Sequence, residues 1–247
     1  MAEMGEWGQR LLDLLFPPRC VGCGGRGALL CGGCRASIHT PEPPLCDRCG
    51  SPLERVTQEK PSRCPICRAG AGPQSLTGLR VATVYEGAAR QAVIALKFQG
   101  QRRAAQVMAE LLADAYHRQQ LHADVIIPVP LHARRTRARG YNQAELLARA
   151  CGRRLVLPVS TGVVLRQRET LPQIKLAWHQ RQANVAGAFA LTPAPVAHSL
   201  AGKRILLIDD VATTGATMDA VAHALLAAQP AAIWGLAFAR PQRHDDA

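Results

Sequence analysis

Apolar and polar positions divide the chain into two unlike parts. From residue 75 onward, apolar runs of strand length alternate with stretches of helical period. Leu79 to Tyr85 predicts a strand and Ala88 to Phe98 a helix. Arg102 to Arg118 predicts a second helix, with Val107, Leu111, Leu112 and Ala115 on one face. Asp124-Val125-Ile126-Ile127-Pro128-Val129 reads as a buried strand that ends at prolines. Asn142 to Arg154 reads as a helix, with Leu146, Leu147, Ala150 and Cys151 in register, and Val163 to Leu165 as a short strand. Ile205-Leu206-Leu207-Ile208 predicts another strand. The helix after it carries Met218, Val221, Ala222, Leu225 and Leu226 on one apolar face, and Ile233 to Ala239 closes as a strand. Alternation of this kind, with uninterrupted apolar strands, predicts an α/β fold: a parallel sheet flanked by helices on both faces. The polar stretch Gln167 to Ala183 has no clean period and predicts a long loop. Ala190 to Gly202, with Pro193 and Pro195, reads as a connector.

Before residue 75 the pattern changes. Trp7, Leu11, Leu12 and Leu15 predict a short amphipathic helix within residues 1–18, stopped by Pro17-Pro18. Residues 19–70 carry too few large apolar side chains to bury a core unaided. They hold eight of the nine cysteines instead, as four C-x-x-C pairs: Cys20/Cys23, Cys31/Cys34, Cys46/Cys49 and Cys64/Cys67. This spacing turns two thiolates toward one metal, and two such turns complete a tetrahedral four-thiolate zinc site. A disulfide framework is the competing reading, but repetition of one spacing and the want of a secretory signal favour metal. Two structural zinc ions are therefore expected in a small double ribbon over 19–70. Sequential and crossed pairings both remain open. The small-residue segment Arg68 to Pro73 sets the boundary before a third unit at 75–242. Cys151, inside a helical pattern, reads as a core residue.

The 247 residues are 48% hydrophobic and only 4% aromatic, a balance that suits helices on a buried sheet better than an all-β domain. No apolar run reaches the roughly 18 residues of a membrane span. Glu3, Glu6 and Asp13 interrupt the N-terminal apolar residues, so a cytoplasmic location is expected. The 30 Lys and Arg against 18 Asp and Glu give a formal charge of +12, which points to phosphate-bearing partners.

The segment ILLIDDVATTGAT, Ile205 to Thr217, carries the most specific chemistry. Ligands of open α/β sheets bind beyond the carboxyl ends of the strands. Here the strand end delivers Asp209 and Asp210, acceptors suited to the adjacent hydroxyls of a ribose. The loop Val211, Ala212, Thr213, Thr214, Gly215, Ala216 and Thr217 then offers hydroxyls and free N–H groups before a helix N-terminus, where a phosphate is stabilised. Helix capping by the threonines, or a Mg²⁺ site of another enzyme class, would explain parts of this pattern but not the whole order.

The order of strand, Asp-Asp, Thr-Thr-Gly and helix resembles the signature of type I phosphoribosyltransferases. Other segments narrow the resemblance. Val129-Pro130-Leu131-His132 follows a buried strand, and Arg139-Gly140-Tyr141-Asn142-Gln143 follows shortly after. With Lys97-Phe98 and the cysteine pairs, these resemble the ComF family, the competence-associated and GntX-like phosphoribosyltransferase homologues. The resemblance implies a phosphoribosyl pyrophosphate site with Mg²⁺, in which Asp209 and Asp210 meet the ribose and residues 211–217 hold the 5′-phosphate. By similarity to amidophosphoribosyltransferases, Pro128 to His132 is the pyrophosphate loop and Arg166 to Arg181 a lid. Lys97, Pro130, His132, Arg134, Arg135, Arg139, Gln173 and Arg181 are then candidates for the pyrophosphate or lid contacts. Each cation reads equally as a solvated charge, and His132 and Tyr141 as structural groups, with Asn142 as a helix cap. The family association implies a role in natural competence and DNA uptake. Two functions follow: phosphoribosyl transfer to an unidentified acceptor, or a non-catalytic accessory protein that binds single-stranded DNA and competence-machinery proteins and keeps the pocket for regulation.

Overall fold

A computed structural model describes residues 17–53, 63–168, 187–192 and 199–242. The expected N-terminal helix with Trp7, Leu11, Leu12 and Leu15, and most of the expected lid, Gln173 and Arg181 included, lie outside these residues. Two short helices, α1 (Gly32–Ala36) and α2 (Pro65–Arg68), start inside the second and fourth cysteine pairs, with Cys31 and Cys64 as their N-caps. Then come β1 (Gly78–Val84), α3 (Gly87–Phe98), α4 (Ala104–Arg118), β2 (Val125–Pro128), α5 (Ala133–Arg139) and α6 (Gln143–Leu155). The chain continues through β3 (Val164–Arg166), β4 (Phe189–Leu191), β5 (Arg204–Val211) and α7 (Ala216–Leu225) to β6 (Ala232–Arg240).

The main sheet has the order β1-β6-β5-β2 and every pairing in it is parallel. β5 lies between β6 and β2, and Ile205 to Asp210 are all buried. That explains its unbroken apolar run: a strand covered on both faces has no polar side. One core holds α3, α4 and α6 with Leu206 and Ile208, and the other holds α7 and the antiparallel β3-β4 pair with Ile205 and Leu207. Alternation along the strand sends successive side chains to opposite faces. The same alternation carries into the acids, so Asp210 continues the α3 face and Asp209 the α7 face.

Among the described residues, the apolar pattern located five of the six strands and the four longer helices. Three details differ. α5 was not foreseen, because ARRTRAR has no apolar face; it starts where the His132 ring accepts from Arg134 N–H and ends at Gly140 in a left-handed turn. β4 falls at the start of the expected connector. Leu226 is 48% exposed, because the chain tightens into a 3₁₀ turn at Leu226–Ala228 and takes it off the apolar face.

The cysteine segment packs directly on the sheet domain. Val21 enters the core of α3 and α4, with Leu29, Leu30 and Ile38 against it. Leu79 N–H donates to Arg48 O at 2.9 Å and Val84 N–H to His39 O at 2.9 Å. Glu110 on α4 receives both Arg35 of the ribbon and Arg154 of α6.

Candidate functional site

The eight thiols gather in chain order into two groups, Cys20/Cys23/Cys31/Cys34 and Cys46/Cys49/Cys64/Cys67, each with its sulfurs within 4.8 Å of one another. Sequential pairing is thus the one observed. A tetrahedron with Zn–S bonds of about 2.3 Å has edges of about 3.8 Å. Cys23 to Cys31 measures 3.8 Å and Cys49 to Cys64 3.7 Å, so zinc fits both groups. Backbone N–H groups support the sulfurs: Cys31 donates to Cys20 Sγ at 3.3 Å and Cys64 to Cys46 Sγ at 3.4 Å. Burial alone would raise the Cys20 thiol, but the amides of Cys31, Cys23 and Gly22 outweigh it and bring it down to about 6. Its neighbour Cys34 is pushed up to about 12 by the sulfurs of Cys31 and Cys20. Four sulfurs this close cannot all ionise without a cation, and Zn²⁺ supplies it. The second group is wholly buried and closed, which suits a structural and not a catalytic metal.

The other site lies at the carboxyl ends of β5 and β2. Asp210 Oδ1 accepts from Val211 N–H at 2.9 Å, and Asp209 Oδ1 from Asp210 N–H at 2.8 Å. Lys97, at the end of α3, places Nζ 2.6 Å from Asp210 Oδ2. Burial and the Asp210 charge push the Asp209 carboxyl well above the ordinary range, against a smaller pull from Lys97. Lys97 is raised as well: its own desolvation lowers it, but the attraction of Asp210 outweighs that.

Beyond the acids the backbone turns into α7 through Gly215, whose φ of +83° favours glycine. A Cβ there would also stand 2.5 Å from Leu79 Cδ2. Ala212 N–H donates to Ala239 O at 3.0 Å, and Ala216 N–H faces the Thr214 hydroxyl at 3.3 Å. Among the described residues, the N–H groups of Thr213, Thr214 and Gly215 find no acceptor. Three consecutive unspent donors at a helix start make a cradle for an anion.

The other expected site residues fall around this point. The Pro128–His132 turn adjoins it, with Val129 N–H bonded to Ile208 O at 3.0 Å. Asn142 holds that turn through Nδ2 to Val129 O at 3.1 Å and caps α6 by accepting from Ala144 N–H at 3.0 Å. His132 caps α5, and the Tyr141 hydroxyl donates to Leu96 O, so both have structural partners. Arg139 lies with its guanidinium 5.6 Å from the Phe98 ring centre and bonds Gln143. Arg134 is exposed and Arg135 half-buried on α5. Sequence reasoning missed Asp219, which accepts from Ser75 and Leu76 N–H at 2.7 and 3.2 Å and anchors α7, and Arg240, whose Nε donates to Ala212 O at 3.2 Å. Neither stands in a motif; their partners are far off in sequence.

Comparison with known proteins follows the same division. A model of the double zinc ribbon domain matches residues 11–68, and one of the phosphoribosyl transferase domain matches residues 98–246. The chain is 33% identical to Competence protein F of Haemophilus influenzae over 90% of its length and 97% of that protein's. It is 30% identical to DNA utilization protein YhgH of Escherichia coli K12, over 83% of this chain and 87% of that one. A glutamine phosphoribosylpyrophosphate amidotransferase structure from B. subtilis overlaps with a TM-score of 0.37 at 18% identity, covering 56% of this chain and only 26% of that one. The agreement of both domain matches with a relative aligned from end to end shows that the chain belongs to the ComF family, phosphoribosyltransferase-like proteins with an N-terminal double zinc ribbon.

Proposed function

We propose that the chain binds phosphoribosyl pyrophosphate with Mg²⁺ at the ends of β5 and β2, and transfers the phosphoribosyl group to a nucleophilic acceptor. The observation that carries this reading is the order of groups along one short stretch: two buried acids that accept, then three unspent amides that donate, before α7. The acids accept from the vicinal hydroxyls of the sugar and the amides donate to its 5′-phosphate. The turn at Pro128–His132 faces the leaving pyrophosphate, with Pro130 and His132 at its edge. When bound, Mg²⁺, a hard cation suited to phosphate and carboxylate oxygens, would supply charge to offset what develops on pyrophosphate. Lys97, held on Asp210, is the cation already at the site. Arg134, Arg135 and Arg139 on the adjacent α5, with Gln173 and Arg181 of the expected lid, complete the candidates for the leaving group. The proposed units remain a short helix within 1–18, a ribbon over 19–70 and a transferase domain over 75–242.

The test is calorimetric titration of the zinc-loaded chain with phosphoribosyl pyrophosphate and Mg²⁺, with pyrophosphate release measured against a panel of bases and amines. Binding is expected, and Asp209→Asn with Asp210→Asn is expected to weaken it by at least tenfold in a folded protein. Unchanged affinity in that double variant sinks the ribose assignment. Binding without release against any acceptor removes the transfer step and leaves the accessory role.

A second reading adds single-stranded DNA, and one surface favours it. Phe98 is 73% exposed with Arg139 against its ring, and Arg102 lies 4.8 Å from the Tyr141 ring centre. α5 carries Arg134, Arg135, Arg137 and Arg139 and no acid. The Tyr141 ring is buried, so the exposed Phe98 ring among these cations is what suits a strand with a base to stack and phosphates to neutralise. In this reading, Phe98→Ala with Arg139→Ala weakens single-strand binding about tenfold and lowers its salt dependence. Equal binding by the variant across a salt series rejects this surface. The names of the relatives make a place in natural competence and DNA uptake, beside other competence-machinery proteins in the cytoplasm, the setting to examine.

A further inference from the structure

Two paths of contact join the second cysteine group to the phosphate loop. The first is polar. Arg240, at the end of β6, is buried. Its Nε donates to the Ala212 carbonyl and its Nη1 to Ser51 Oγ, both at 3.2 Å. Ser51 Oγ in turn lies 3.3 Å from Cys49 Sγ. Toward a thiolate the hydroxyl is the donor. One planar guanidinium therefore spans from the loop that follows Asp210 to a residue touching a metal-binding sulfur.

The second path is steric. Gly50, between Cys49 and Ser51, has a φ of +68°, and a Cβ there would stand 2.3 Å from Leu79 O. The Leu79 side chain continues to Gly215, where a Cβ would meet Cδ2 at 2.5 Å. Arg48, between Cys46 and Cys49, holds Pro73 O through Nε at 2.6 Å, and Pro73 Cγ also lies 3.4 Å from the same Gly215 position. The turn of the second cysteine group is thus the back wall of the loop. The first group packs elsewhere, with Gly22 against Ala88 of α3.

We propose that Ser51 and Arg240 are positioning residues that couple zinc retention at Cys46/Cys49/Cys64/Cys67 to the anion-binding shape of residues 211–217. Coupling of this kind is reciprocal: whatever zinc contributes to ligand affinity, ligand contributes to zinc retention. The ligand half of the proposal rests on the phosphoribosyl reading; the protein half does not. Neither residue is a metal ligand, so each is changed without removing a sulfur. A lysine at 240 keeps a positive charge but not the fork that reaches two acceptors at once.

The experiment uses the full zinc-loaded chain. A chelator is added, and alkylation of each cysteine is followed with time by peptide mass spectrometry, so the two sites report separately. Arg240→Lys and Ser51→Ala are each expected to speed alkylation of Cys46, Cys49, Cys64 and Cys67 about tenfold, the scale of one lost charged hydrogen bond. Cys20, Cys23, Cys31 and Cys34 keep the wild-type rate. In the wild type, phosphoribosyl pyrophosphate with Mg²⁺ slows the second site, and Ser51→Ala abolishes that slowing. A merely local role for Ser51 would speed release but leave the slowing intact. Unchanged second-site release in Arg240→Lys, or equal acceleration at both sites, overturns the coupling. So does a ligand that binds the wild type by calorimetry yet leaves its second-site release untouched. Failure of the wild type to bind ligand at all defeats the phosphoribosyl reading instead, and the ligand-free comparison of Arg240→Lys still decides the coupling.

Discussion

Asp209→Asn is expected to make the protein more stable while it weakens the ligand site. The carboxyl is buried, lies next to Asp210 in the chain, and is held well above its ordinary pKa by burial and that neighbour's charge. Asparagine keeps the shape and keeps an oxygen to accept Asp210 N–H, a bond of 2.8 Å in the wild type. It removes the charge that is costly to bury. The pH dependence follows from linkage. Below the unfolded value of about 3.9, Asp209 is protonated in both states and costs nothing. As pH rises, the unfolded carboxyl ionises while the folded one resists, and stability is lost until the folded pKa is passed. The amide side chain of the variant does not titrate and has no such loss. The gain of the variant is therefore small at pH 4.5 and grows toward neutrality, to about 1–2 kcal/mol, the usual scale of relieving strain at a functional site. For a chain of this size that is about 2–8 °C in Tm. Urea unfolding at pH 5.5 and 7.5, with zinc content checked at each, measures it. A variant less stable than the wild type at pH 7.5, or a difference that does not change with pH, would refute the electrostatic reasoning.

Other outcomes follow from the same geometry. Gly215→Ala combines a left-handed φ with a contact of 2.5 Å to Leu79, and is expected to cost about 1–3 kcal/mol in unfolding free energy and to weaken ligand binding; wild-type stability in that variant would contradict the turn described. Elemental analysis of the chain is expected to give about two zinc per molecule, from two four-thiolate groups. Burial pushes the Cys151 thiol up to about 12, so it should resist alkylation at pH 8 in the zinc-loaded chain and react only on unfolding. The stability gained by keeping it neutral is whole below about 8.5 and fades as pH rises toward the folded value.

The sequence showed most clearly what is local and periodic. β5 was legible because a strand buried on both faces is a continuous apolar run, and the acids and glycine follow it without a gap. The cysteine groups were legible because one spacing repeats four times. α5 was not, because four arginines in seven residues hide helical period, and its caps at His132 and Gly140 are weak signals. Nor was the Lys97–Asp210 pair as such: Lys97 was a candidate for pyrophosphate, but only the fold reveals that the end of α3 meets the end of β5. Arg240 and Ser51 are 189 positions apart, and neither residue type announces a partner at that distance. Long-range polar contacts of single residues leave no periodic trace, which is why the supports of the site were harder to read than its lining.

The most direct measurement is a crystal structure of the zinc-loaded chain soaked with phosphoribosyl pyrophosphate and Mg²⁺. The expected density places the two ribose hydroxyls on the carboxylates of Asp209 and Asp210, and the 5′-phosphate on the N–H groups of Thr213, Thr214 and Gly215. Ligand bound elsewhere on the molecule, with those three amides still facing no anion, would contradict it.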